Sequence, residues 1–318
     1  GVGGRNPSTS ADGSVVAFTS EGQVLADVPA GRHHVYAWID GQIELVDVTP
    51  SGSPGVAPCS NCSSPILAVA ADGGSVVFTS LDETLDPAGP VDFGSGSGGY
   101  LRNLRTGTTT FVSYDSEGTP IDVNEVDING DGSVVTYQGQ GRAPSPTTTS
   151  GLTLGFFTFW RDMTTGEVGV VADPATGEPI ITGINLRSEL SADGRWIAFD
   201  VQEALVPADP NTGHDTYVFD RQPGNLEVVS VGPDGTAGDT EEINGEDFRG
   251  ISGDGRYVAF GNGSTDLIEG EVVPSGAVYL RDREAGTTTL LSRRPDGSPA
   301  LNRGGGRVRV SDDGSSVA

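Results

Sequence analysis

Three oxygen-bearing side chains stand close together in DPNTGHD, residues 209–215: Asp209, Asn211 and Asp215, two and four residues apart. Carboxylate and amide oxygens at such spacing suit a hard divalent cation, so the stretch predicts a partial calcium cage. It occurs once in the chain, and calcium is the only cofactor the residues suggest. DINGDG at 127–132 has the opening of an EF-hand loop, but its twelfth position is Gln138, where that loop needs a bidentate glutamate. That segment is read as a turn.

Cys59 and Cys62 form the only CxxC. Zinc would need two further ligands, haem attachment would need histidine where Ser63 stands, and a redox motif would need a βαβ context. The preferred reading is a local disulfide in an oxidising compartment, with two free thiols as the alternative. Three histidines, His33, His34 and His214, lie in no GxSxG, HExxH or P-loop setting. The sialidase-type Asp box also fails, because here aspartate and glycine are adjacent. A glycosidase pair of carboxylates drawn from distant segments would leave no local motif. The chain is read as a non-enzyme.

The elements that must position these residues are written as a repeat. SADGSVVAF at 10–18 returns as AADGGSVVF at 70–78, NGDGSVVTY at 129–137, SADGRWIAF at 191–199, SGDGRYVAF at 252–260 and a clipped SDDGSSVA at 311–318. The marker aspartates Asp12, Asp72, Asp131, Asp193, Asp254 and Asp313 are spaced by 60, 59, 62, 61 and 59 residues. Within one period, NLRSELS is a short strand, ADG reverses the chain, RWIAFD is a second strand, DTYVFD a third and LEVVSV a fourth. Four antiparallel strands per unit and no helical period make an all-β chain, a β-propeller of four-stranded blades. The blades fall at about 5–48, 65–114, 123–173, 185–231 and 247–293, with a partial sixth at 305–318, in a single domain. A chain stopping inside a strand leaves ladder groups unpaired, so the natural polypeptide is expected to continue past 318. A sheet apolar on both faces needs neighbours, and Trp196, Phe199, Tyr257 and Phe260 are expected to pack between blades.

Composition limits the partners. Acidic residues number 44 against 18 basic, all arginine, for a net charge of −26. Such a surface repels nucleic acid and anionic lipid, and attracts cations or a basic protein segment; simple solvation of a salt-adapted surface is the other account. No run approaches the roughly 18 apolar residues that span a bilayer as a helix.

S-x-DGR-x-(V/I)-AF, then LVPADPN, then D-x-YVFDR, then a fourth strand ending VVSVGPDGT, resembles the TolB-like (WD-like) β-propeller repeats of bacterial extracytoplasmic proteins. The likeness covers nearly the whole chain. It is clearest at 191–236 and 252–297, departs at the third turn of blade one, and has Asn103 where other blades have Asp162, Asp220 and Asp282. The resemblance implies six blades, an extracytoplasmic location and a protein-binding use.

The connections between second and third strands, and those leading to the next blade, share one rim and vary in length, which makes that rim the expected binding face. The second-to-third loops are placed at about 21–32, 81–98, 139–155, 201–214 and 262–276. Asp82, Glu83 and Asp86 in one of them, with Asp239, Glu241, Glu242, Glu246 and Asp247 in a return loop, are the rim candidates. The expected function is an extracytoplasmic, non-catalytic module for protein binding or self-assembly. The alternatives are a structural subunit of a surface filament or sheath, and the accessory propeller of a larger secreted hydrolase.

Overall fold

The computed structural model describes residues 4–55, 66–90, 96–182, 188–238, 249–300 and 308–318. Cα packing divides the chain into two compact units, residues 1–170 and 171–318. Every strand named below belongs to one of five four-stranded antiparallel meanders, and the described residues hold no helix. None of them therefore forms a helix long and apolar enough to cross a membrane.

The first unit holds three blades. Blade one is β1 (Arg5–Thr9), β2 (Val15–Ser20), β3 (His34–Ile39) and β4 (Gln42–Leu45); blade two is β5 (Leu67–Val69), β6 (Ser75–Ser80), β7 (Gly98–Asn103) and β8 (Thr108–Phe111). Blade three is β9 (Val123–Ile128), β10 (Val134–Pro144), β11 (Leu152–Asp162) and β12 (Val168–Val170). The second unit holds blade four, β13 (Glu189–Leu190), β14 (Trp196–Val201), β15 (Asp215–Asp220) and β16 (Asn225–Val228), and blade five, β17 (Arg249–Ile251), β18 (Tyr257–Asn262), β19 (Ala277–Asp282) and β20 (Thr287–Leu290). A sixth marker turn closes a small bridge, Val310 to Val317, that packs with Ala259 and Val278 of blade five.

The repeated aspartate is a turn device. Asp193 Oδ1 accepts the Arg195 N–H at 2.9 Å and the Ser191 hydroxyl at 2.5 Å, while Gly194 takes φ 72°. An aspartate bonding its own turn, followed by a glycine free to adopt positive φ, reverses the strand within two residues. The turns also join blade to blade inside each unit. Ala11 N–H donates to Ala71 O at 2.9 Å and Asp72 N–H to Gly130 O at 2.8 Å; in the second unit Asp193 N–H donates to Gly253 O and Gly253 N–H to Asp312 O.

The aromatic residues divide the packing expected of them. Trp196 lies across the marker turn of the next blade, where a Cβ on Gly255 would strike its indole, and Tyr257 covers Gly314 in the same way. Phe199 and Phe260 instead stack within their own blades, on Tyr217 at 5.9 Å and Tyr279 at 5.6 Å. The same stack recurs as Phe18–Tyr36, Phe78–Tyr100 and Tyr137–Phe159. Facing side chains on a non-local strand pair meet directly, which makes this stack a unit of sheet stability.

Asn103 keeps the role of the aspartates it replaces, since its Oδ1 accepts the Arg105 and Thr106 N–H groups as Asp282 Oδ1 accepts those of Glu284 and Ala285. One expected loop is not a loop. Residues 139–155 form most of an 11-strand-residue hairpin, β10 and β11 pairing without interruption from Val134–Asp162 to Pro144–Leu152, with only 145–151 left to turn. QGQGRAP looks loop-like because of its glycines, yet those glycines are what let the strand continue. A Cβ at Gly139 would run into the Asp122 carbonyl, and one at Gly141 would lie 2.8 Å from Asp115 Cβ.

Candidate functional site

Asp209, Asn211 and Asp215 come together at the start of β15. Asp215 is 1% exposed and its Oδ1 accepts the Ser230 hydroxyl at 2.6 Å, while its Oδ2 is buried with no hydrogen-bond donor. Asp209, also buried, accepts the Asn211 N–H at 3.1 Å and the Tyr217 hydroxyl. Asn211 donates to Gly238 O and accepts from Gly213 N–H. Burial pushes the Asp215 carboxyl up to about 7, and the nearby charges of Asp209 and Asp200 push the same way, against the Ser230 hydrogen bond and the nearby Asn211 amide. Among the described residues no group of three or more His, Cys, Asp or Glu side chains is placed to hold a metal ion. What the cluster supplies is two buried carboxylates and an amide oxygen, with one acid oxygen unsatisfied.

The rim candidates of blade two are largely spent on their own loop. Asp82 is buried, its Oδ1 accepting Thr84 N–H at 2.8 Å and the Thr84 hydroxyl at 2.6 Å, and its carbonyl accepts the Tyr100 hydroxyl at 2.8 Å. Asp86 accepts Ala88 N–H and Phe111 N–H. Glu83 stands half-buried between them. Together these three carboxylates reinforce the effect of burial in raising the Tyr100 phenol. Asp239, Glu241, Glu242, Glu246 and Asp247, like Cys59 and Cys62, lie outside the described residues.

Two histidines that no motif singled out are both buried in blade one. His34 Nδ1 meets Asp47 Oδ2 at 2.8 Å, and His33 Nε2 meets Glu21 Oε1 at 2.6 Å. Asp47 Oδ1 also accepts the Val35 N–H. Burial raises the Asp47 carboxyl, with His34 opposing it. An Asp–His pair is two of the three members of a hydrolytic triad, but among the described residues no serine, threonine or cysteine bonds to the His34 ring. Here it fastens the segment after β4 to β3.

An open groove lies beside the long hairpin of blade three. It measures about 530 Å³ and runs between the 115–122 segment and the outer halves of β10 and β11, with Asp115, Asp122, Gln140, Arg142, Leu154 and Phe156 on its walls. Asp115 ties the near side down: Oδ1 accepts the Glu117 and Thr119 N–H groups, Oδ2 accepts Arg142 N–H at 3.0 Å, and Ser116 N–H donates to Arg142 O. Directly paired residues share a face, so Gln140 with Phe156, Arg142 with Leu154 and Pro144 with Leu152 line one side of the hairpin. Leu154 is 65% exposed.

No protein-family model matches this chain, and no curated protein sequence matches it. Solved structures do. The β-propeller domain of the Trilobed protease from Pyrococcus furiosus, described as having an open velcro topology, matches over 98% of this chain and 75% of its own, at 13% identity and a TM-score of 0.55. The fold is a β-propeller. A puromycin-hydrolysing peptidase of Mycobacterium tuberculosis is similar over 95% of this propeller at 16% identity and a TM-score of 0.51, with 39% of its own chain covered. TolB from Acinetobacter baumannii matches over 91% at 13% identity and a TM-score of 0.47. The propeller spans 54% of the length of that TolB. At such identities the likeness concerns the fold, and the activities of those proteins remain theirs.

The groove of this propeller went unnoticed in the sequence, although a signal was present. From Gly139 to Pro144 buried and exposed residues alternate without a break, Gly139, Gly141 and Ala143 in and Gln140, Arg142 and Pro144 out. The inward set is too small to register as hydrophobic.

Proposed function

We propose that this propeller is an extracytoplasmic, non-catalytic module that binds a basic segment of another protein at the blade-three groove. The observation that carries the reading is the groove itself: apolar Leu154 and Phe156 line an open channel whose walls also hold Asp115, Asp122 and Arg142, on a chain with 44 acidic and 18 basic residues. A rigid sheet bearing one accessible apolar strip edged by charge is how a scaffold recognises an extended partner, and the chain's negative field steers basic chains toward it. The same field opposes self-assembly, because two copies carry −26 each. The TolB-like repeat phrase is the support for a location outside the cytoplasm, where Cys59 and Cys62 would be able to pair as a disulfide.

The test is fluorescence anisotropy of the labelled peptide acetyl-(Val-Arg)4-amide at 50 and 300 mM salt. Binding that weakens roughly tenfold with salt, and is absent for acetyl-(Val-Glu)4-amide, is the expected result. Equal binding of both peptides, or none of either, removes the reading.

Calcium at Asp209, Asn211 and Asp215 belongs to the same proposal, supported by the buried, donor-less Oδ2 of Asp215. Titration calorimetry on chelator-treated protein at pH 8 is expected to show heat of binding and a raised melting temperature. No heat and no shift at millimolar calcium removes the site.

A further inference from the structure

Among the described residues the outer half of β11 is a sheet edge with no strand on its far side. β12 covers only Phe159, Trp160 and Arg161, so the strand from Leu152 to Phe157 has β10 on one side and no strand on the other among the described residues. The ladder shows which backbone groups face outward. In an antiparallel pair, residues alternate between those that exchange both backbone bonds with the partner strand and those that turn N–H and C=O away. Arg142 gives its N–H to Asp115 Oδ2 and its carbonyl to Ser116 N–H, so it does not bond to β11. Its partner Leu154 is therefore in a pair of the second kind, as is Phe156 opposite Gln140. Their N–H and C=O groups point off this edge. Leu152 is the natural end of that row, its carbonyl being taken by the hydroxyls of Thr148 at 2.8 Å and Ser150 at 3.0 Å.

Such an edge is a template for a further strand, and natural sheets blunt it with charge, proline or a bulge. Here none of the three is used: β11 pairs with β10 without a register shift over 11 positions, and LTLGFFTF carries no charge. Beside it Leu154 is exposed, and Phe156 lines the blade-three groove together with Asp122 and Arg142.

We propose that the outer edge of β11, from Leu154 to Phe156, receives a basic, extended segment of another protein as an added β-strand. Backbone pairing to Leu154 and Phe156 supplies affinity, and alternate side chains of the guest lie over Leu154 and Phe156 toward Asp122. A second copy of this chain is the poorer occupant, because pairing edge to edge would bring two acidic bodies of −26 together. The inference rests on the binding reading above and adds the geometry of binding to it.

The experiment uses acetyl-(Val-Arg)4-amide and two variants, one N-methylated at every valine and one at every arginine. A strand added to an edge offers only every second N–H to its host, so one methylated peptide is expected to bind like the parent and the other about tenfold or more weaker. If both bind like the parent, strand addition is overturned while the reading of a basic segment bound in the groove survives; if both weaken equally, strand addition is overturned too. If the parent itself does not bind, both readings fall. On the protein side, Leu154→Pro deletes an outward N–H that no ladder bond uses, and it is expected to weaken the parent peptide about tenfold while the melting temperature moves by only a few degrees. Hydrogen exchange offers a separate check, with the Leu154 and Phe156 amides gaining protection on binding. Unchanged exchange at both, or dimerisation of the native chain lost in Leu154→Pro, would overturn the proposal.

Discussion

Blades three and four treat the same place in opposite ways. In blade four the second and third strands stop after six residues, at Val201 paired with Asp215, and the chain folds a polar loop back so that Asp209 meets the Tyr217 hydroxyl. The corresponding pair in blade three, counted from the stacked Tyr137 and Phe159, is Gly139 with Phe157, and there the strands run on. The difference teaches what ends the strands in blade four and lets them run on in blade three. A buried carboxylate at the end of the third strand needs hydroxyl and amide partners, and gathering them turns the chain inward. An aromatic side chain opposite a glycine has no such need, so the hairpin extends, and the glycines make room for the 115–122 segment to lie against it.

The largest expected effect follows from placing blade four's residue in blade three. Gly139→Val should cost roughly 3 kcal/mol in urea unfolding, because the new side chain strikes the Asp122 carbonyl, although Val201 fits the matching position. A loss below roughly 1 kcal/mol would mean that the two places are not equivalent.

Next comes the contact joining blades four and five. Trp196 lies on Gly255, with the Arg283 guanidinium 4.0 Å from its ring centre. Trp196→Ala is expected to cost roughly 2–3 kcal/mol, somewhat less than for a fully buried tryptophan since this one is half-buried.

Asp215→Asn should act in the other direction. The carboxyl titrates at about 7 in the folded chain against 3.8 as a free side chain, so the folded state binds the extra proton. The stability this proton gives is complete below about pH 4 and is lost as pH rises through 7. Asparagine keeps an oxygen for Ser230 and has no charge to bury. The variant should therefore be more stable than the native chain by roughly 1–2 kcal/mol at pH 8, with a flatter melting profile between pH 4 and 7. An unchanged pH profile would show that a cation, and not a proton, balances the site.

The smallest effect belongs to the hairpin's outer face. Leu154→Ala should change stability by less than about 0.5 kcal/mol, because the side chain is exposed, yet weaken the basic peptide several-fold. A destabilisation comparable to that of Trp196→Ala would show that the strip is packed against something in the native chain.

Much of this architecture was legible in the residues. The DG markers gave the period, the aspartates proved to be turn-makers as their position suggested, and the strands of blades four and five fall where their β-branched and aromatic runs lie. The hairpin of blade three was not legible, since glycine at an inward position means a loop to any reading based on hydrophobicity. The meaning of the carboxylates was hidden for a related reason: Asp82 and Asp86 look like an acidic rim by composition, and their hydrogen bonds to Thr84, Ala88 and Phe111 depend on how the loop closes. The pairs His34–Asp47 and Asp215–Ser230 join residues 13 and 15 apart, beyond the reach of a local motif.

By itself the sequence determined the repeat, the four strands of each blade and the sign of the surface charge, because turn chemistry, side-chain alternation and charge are properties of neighbouring residues. Only the tertiary structure decided which carboxylates are buried, which aromatic residues face their own blade or the next, and where an edge is left open. Those depend on the close approach of segments distant in the chain, and a single glycine or carbonyl at the point of contact decides the outcome.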